Sequence, residues 1–195
     1  MRRIVAVLVL VGFVVATRST AAQPLDSRFL ARKFVAPENA PSMITMTDMN
    51  EGGERMIVTG QVTDGSKPLA GVSIYVFQAD AKGLYTTDGF NSDDRARLHG
   101  AMRTDATGRY RFETIRPAGY GAPQPMPAHV HYVVRAPKGY KSLMYQLWFE
   151  DDAAVAKLRA DNSLFKLPDW VAIRPITRDS DGVWHTTRDV VLDRE

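Results

Sequence analysis

The chain contains no cysteine. That single absence excludes disulfides, thiolate metal sites, a cysteine nucleophile and a lipidated N-terminal cysteine together. Any metal must therefore be held by His, Tyr or carboxylate. Long apolar runs are also scarce: the one at residues 4–16 is too short to span a bilayer comfortably. It follows Arg2-Arg3 and precedes the small residues Ser19, Thr20, Ala21 and Ala22, which reads as a secretory signal peptide over residues 1–22, cleaved near Ala22. The protein is then expected to be exported, to a periplasm or beyond the cell, with no stable membrane insertion after signal removal. An excess charge of one sign is missing too. Lys and Arg number 25 against 22 Asp and Glu, but Arg2, Arg3 and Arg18 belong to the leader, so the mature chain balances at 22 against 22. Nothing in that balance argues for a nucleic-acid partner. No Gly-x-Ser-x-Gly elbow is present, which sets a serine hydrolase aside.

What remains is a chain of short strands. Residues 23–54 hold Pro24, Pro37, Pro41 and Gly52-Gly53 without a sustained period, and are expected to form an irregular N-terminal arm with at most one short helical turn. Strands are predicted at 56–62, 72–78, 109–114, 128–134, 143–149 and 183–192. Turn signals such as Asp64-Gly65, Thr107-Gly108, Lys138-Gly139 and Asp181-Gly182 fall between them. The strand at 72–78 is apolar on both faces, as a buried strand should be, whereas 109–114 alternates. One helix is expected at 153–159, capped by Asp151 or Asp152. The fold class is all-β: an antiparallel β-sandwich over residues 55–195, with one short helix and the irregular arm. A chain of this length builds such a core without disulfides.

His129 and His131 lie two apart on a predicted strand, so both project from one face about 7 Å apart and can share a metal ion. The plainer reading is one solvated and one hydrogen-bonded histidine. Tyr85 follows the strand at 72–78 and Tyr120 follows that at 109–114; taken singly, each is an ordinary packing residue.

Five segments in order change that weighing. They are Gln-Ala-Asp-Ala-x-Gly-x-Tyr ending at Tyr85, Thr-Asp-x-x-Gly-Arg-Tyr-x-Phe at 104–112, and Thr-Ile-Arg-Pro-x-Gly-Tyr ending at Tyr120. Pro-Ala-His-Val-His at 127–131 and Leu-x-x-Gln-Leu-x-Phe at 143–149 complete the set. From about residue 60 to 192 the chain resembles the intradiol ring-cleavage dioxygenases, the catechol and protocatechuate class. The resemblance implies a non-haem Fe(III) held by Tyr85, Tyr120, His129 and His131 on a β-sandwich. It implies cleavage of a small catechol-type aromatic diol by O2 to a muconate-type diacid. Tyr120 would be the ligand that leaves and acts as base, and Gln146 would help position and polarise the substrate. The chemistry is coherent: ferric iron prefers anionic oxygen, accepts imidazole, and holds phenols with an ordinary pKa near 10 as phenolates.

One position departs from the family pattern. An arginine normally stands three residues before the first histidine, where this chain has Met126. A thioether supplies neither the charge nor the forked donors of a guanidinium. Either Arg116 or Arg135 substitutes, or the substrate range differs. The resemblance leaves open which diol is used and whether the protein forms a homo-oligomer.

Other candidates rank lower. His99, in an expected loop, and His185, beside Trp184 on a late strand, read as surface or rim histidines. Glu150-Asp151-Asp152 would allow a two-His-one-carboxylate Fe(II) site, but that leaves both tyrosines unexplained, and the run suits a helix cap better. The rival from another class is a non-catalytic exported binding module of the carboxypeptidase-regulatory type. It rests on the segments 60–64, 68–72 and 104–112, and it gives no reason for the Tyr85, Tyr120, His129 and His131 set.

Overall fold

Two mixed sheets stack face to face, and the first carries the functional face on its outside. The computed structural model describes residues 23–24, 27–29, 31–88, 95–121 and 126–195; the expected signal peptide at 1–22 lies outside them. The strands are β1 (Gln23–Pro24), β2 (Met43–Thr45), β3 (Arg55–Thr63), β4 (Ser73–Gln78), β5 (Leu98–Arg103), β6 (Arg109–Ile115), β7 (His129–Arg135) and β8 (Leu143–Phe149). After helix α1 (Ala153–Ala160) come β9 (Val171–Arg174), β10 (Ile176–Arg178), β11 (Trp184–Thr187) and β12 (Val190–Val191). The first sheet runs β1-β8-β7-β4-β5, with β9 beside β8. The second runs β10-β11-β3-β6-β2, with β12 beside β3. The central pairs are antiparallel, while β2, β9, β11 and β12 add parallel.

Alternation sorts the side chains. Met56, Val58, Ile74, Val76, Phe112, Val130, Tyr132, Val134, Leu147 and Phe149 fill the space between the sheets. Their strand neighbours face the other way and build a second apolar layer outside the first sheet, formed by Phe29, Phe34, Tyr75, Phe77, Tyr85, Val133 and Met144. Both faces of β4 and β7 are thus covered, which is why the segment at 72–78 reads as apolar on both faces.

The arm is more structured than its composition suggests. Two short 3-10 turns, Ser27–Phe29 and Arg32–Phe34, seat Phe29 and Phe34 in the outer layer, and β2 pairs with β6. Arg103 fastens it further, donating to the carbonyls of Ala36 and Pro37 at 2.9 and 2.8 Å. Two aromatic anchors in a polar stretch have no period to detect, yet they bury fully.

Further departures are local. The strand expected at 183–192 breaks at Arg188-Asp189, because the Asp189 carboxylate takes the Gln61 N–H (2.9 Å) that a continuous ladder would use. β5 is a strand where His99 was expected to sit in a loop; its Leu-His-Gly-Ala-Met-Arg sequence has little β propensity, and full pairing with β4 imposes the conformation. A Cβ at Gly100 would meet the tip of the Ile44 side chain, Cδ1 at 2.4 Å, so that side chain would have to shift. α1 forms as expected with Asp152 as its cap, its carboxylate accepting from Ala154 N at 2.8 Å.

Candidate metal centre

The four residues singled out in the sequence converge on the outer face of the first sheet. Alternation along β7 puts His129 and His131 on that face, and β4 places Phe77 directly across from His131. The Tyr85 oxygen lies 2.9 Å from His131 Nε2, 3.4 Å from His129 Nε2 and 3.2 Å from the Tyr120 oxygen. The Tyr120 oxygen is 3.4 Å from His129 Nε2, and the two imidazole Nε2 atoms are 2.9 Å apart. Tyr85, His129 and His131 are 2, 2 and 7% exposed, whereas Tyr120 is only half-buried.

Loop chemistry brings the tyrosines in. The Asp80 carboxylate accepts from Lys82 N (2.8 Å) and Leu84 N (3.0 Å), closing the turn that delivers Tyr85. Ala118 N donates to the Asp80 carbonyl at 3.0 Å, tying that turn to the Tyr120 loop. Gly83, at φ +78°, lets the loops touch: a Cβ there would meet the Gly119 carbonyl oxygen at 2.7 Å. Tyr120 and Met126 exchange two backbone hydrogen bonds, at 3.2 and 2.7 Å, so Met126 stands on the same face as Tyr120, 40% exposed.

The donor set fits a metal ion. Ligand atoms sharing one ion at bond lengths of about 2 Å lie about 2.8–3.3 Å apart, between right-angled and tetrahedral arrangements. The five distances here run from 2.9 to 3.4 Å. His129 Nδ1 donates to the Pro127 carbonyl at 2.6 Å; a carbonyl only accepts, so the proton sits on Nδ1 and Nε2 turns its lone pair inward. Two phenol oxygens and two imidazoles form a hard, oxygen-rich set suited to ferric iron.

Gln146 stands across from His131 on β8. Its Oε1 accepts from Trp148 Nε1 at 2.8 Å, which leaves the amide nitrogen facing His131 Nδ1 at 3.5 Å, the long limit of a hydrogen bond. The two arginines considered as substitutes are engaged elsewhere. Arg116 forks onto Asp151 at 2.6 and 2.8 Å, and Arg135 donates to the Phe29 carbonyl at 2.6 Å. Glu150 and Asp152 are committed to Arg159 and to α1. Among the described residues no group of three or more His, Cys, Asp or Glu could hold a metal, so the carboxylate alternative has no site. His99 stacks on Tyr75 (5.7 Å between centroids), and His185 pairs with Asp179 at 2.7 Å on the surface. The residues that sequence reasoning passed over are Phe77, Trp148, Asp80 and the Pro127 carbonyl. Only Asp80, opening an Asx turn, left a local signal.

The dioxygenase family profile matches residues 29–167. The chain belongs to the intradiol ring-cleavage dioxygenase family. It is 31% identical over 142 residues to catechol 1,2-dioxygenase 1 of Acinetobacter lwoffii, covering 63% of this chain and 45% of that one. The protocatechuate 3,4-dioxygenase beta chain of Burkholderia cepacia is 37% identical over 113 residues, 53% of this chain and 48% of that one. The crystal structure of 3-chlorocatechol 1,2-dioxygenase from Rhodococcus opacus 1CP superposes with a TM-score of 0.63 at 27% identity, covering 82% of this chain and 68% of that one. The chain thus spans about half the length of the curated relatives just named. Intradiol dioxygenases use non-haem iron. The binding-module reading gains no support from any of these comparisons.

Proposed function

We propose that Tyr85, Tyr120, His129 and His131 hold one non-haem ferric ion, and that the protein cleaves a catechol-type diol with O2 to a muconate-type diacid. The convergence of the four donor atoms, with five of the distances between them at 2.9–3.4 Å, carries this reading. When bound, the ion supplies a Lewis-acidic, redox-active centre where diol and O2 meet. The protein's own part follows from burial. Tyr85, His129 and His131 are shut off from water, so they form the permanent part of the set. Tyr120 is the only one of the four near solvent, which suits its phenolic oxygen to move aside and take a proton from the incoming diol. Trp148 holds the Gln146 carbonyl oxygen and so fixes the amide beside His131, next to the bound substrate it would help position. Both atoms of O2 end in the diacid, with the bond between the two hydroxylated carbons broken.

We further propose that residues 1–22 export the chain, followed by the arm at 23–54 and the catalytic sandwich at 55–195. The test is to purify the protein, quantify iron and record its visible spectrum. One iron per chain and a broad tyrosinate-to-iron band are expected, with oxygen uptake on a panel of diols. Protein that stays colourless and metal-free after iron loading overturns the reading.

A further inference from the structure

An unbroken aromatic pile runs from the N-terminal arm to one of the histidines. The Phe77 ring lies flat on the His131 imidazole, 4.4 Å between centroids and 1° between planes. Phe29, on the first 3-10 turn, stacks on the far end of the pile, 5.2 Å from Phe77 at 22°. Phe34 meets Phe29 edge-on at 4.9 Å and Tyr75 at 5.0 Å. Phe29, Phe34 and Phe77 have no more than 1% of their surface exposed.

The pile is fastened at its outer end. Arg135 Nη2 donates to the Phe29 carbonyl at 2.6 Å. Arg135 lies on β7, four residues beyond His131 and on the same face, so the strand that presents the imidazole also grips the turn packed over it. A partly buried guanidinium has been drawn out of water to make this bond, and burial pulls its pKa down. The His129 ring is oriented differently, by its 2.6 Å bond to the Pro127 carbonyl. At His131 the Gln146 amide stands 3.5 Å from Nδ1, and the flat Phe77 ring covers the imidazole face.

We propose that the arm is a clamp: through Phe29 and Phe77 it positions the His131 ring and so sets how firmly the ferric ion is retained. The inference rests on the iron-centre reading above. Phe29, Phe77 and Arg135 are positioning residues, and none of them is a ligand. Linkage makes the effect reciprocal, because an arm that strengthens iron binding must itself be held more tightly when iron is bound.

The test compares iron-loaded wild type with Phe29→Ala, Arg135→Gln and a control, Phe112→Leu, whose site lies between the sheets. Each is followed for iron loss to excess EDTA, for the visible band, and for tryptic cleavage after Lys33 with and without iron. Phe29→Ala and Arg135→Gln should release iron faster, on the order of tenfold for Phe29→Ala, the scale of one lost aromatic pair. Their visible band should shift as the imidazole turns, while Phe112→Leu should lose thermal stability without either change. Iron should slow cleavage of the wild-type arm several-fold. Should Phe29→Ala fail to fold, Arg135→Gln and wild-type cleavage decide. A coloured wild type, with wild-type iron release in the variants and iron-independent cleavage, overturns the clamp alone. A wild type that takes up no iron overturns the iron-centre reading and the clamp with it.

Discussion

Tyr120 differs from its three companions in one respect, its access to water, and that difference assigns it a role. Replacing it by Phe removes the mobile oxygen while leaving Tyr85, His129 and His131 in place. Tyr120→Phe should therefore keep weakened colour but turn over at least about 100-fold more slowly, the scale of a lost proton-transfer group. His99→Ala should change neither property, since that ring packs on Tyr75. Trp148→Phe should leave the iron spectrum intact and lower kcat, because the Gln146 amide loses the 2.8 Å bond that aims it; steady-state kinetics alongside the spectrum checks this. The histidines were legible because strand alternation is a local rule. The tyrosines were legible only through the segments around them. Phe77 was not, because its partner His131 depends on the pairing register of β4 and β7, which no local window contains. Trp148 stands two residues from Gln146 on one strand face, but alternation alone does not say that the indole N–H bonds the amide.

At the scale of elements, α1 and β7 share one carboxylate. Asp152 caps the helix through Ala154 N and accepts from Ala128 N at 3.0 Å, one residue before His129. Asp152→Ala therefore removes a cap and a strand anchor together. It should cost about 1–2 kcal/mol, the upper range for an N-cap, read by urea unfolding. The cap itself was legible, since an acidic residue stands before an alanine-rich stretch. Its second bond was not, because it reaches across 24 residues. The same limit explains the arm and β5: neither has a periodic pattern, and both are held by partners far away in sequence, Phe29 and Phe34 by the outer layer and β5 by β4. The break at Arg188-Asp189 follows the same rule, a side chain outcompeting the ladder for Gln61 N–H.

At the scale of the whole molecule, Asp64 gathers three distant parts of the chain. Its carboxylate accepts from Lys67 N and from the Ser66 hydroxyl and N–H of its own turn, from the Tyr140 hydroxyl and from Arg194, the last two at 3.1 Å. Those donors, the Lys67 N–H foremost, hold its carboxyl well below the usual carboxylate range. A depressed folded-state pKa means the unfolded chain binds more protons, so stability rises with pH. The contribution is complete above the unfolded value of about 4 and fades as pH falls below it. Asp64→Asn should thus lower Tm by a constant amount at neutral pH, and that deficit should shrink below about pH 4; melting curves across the range check it.

The ligand cluster belongs to the layer outside the first sheet, so a full thickness of backbone separates it from the interior that holds the sandwich together. Oxidising species that stray from turnover meet the exposed Met126 and the outer-layer Met144 long before they reach Met56 or Met102, which lie sealed between the sheets. Sulfoxide left by such species should therefore appear at Met126 and Met144 before Met56 and Met102, dulling activity while the fold stays intact.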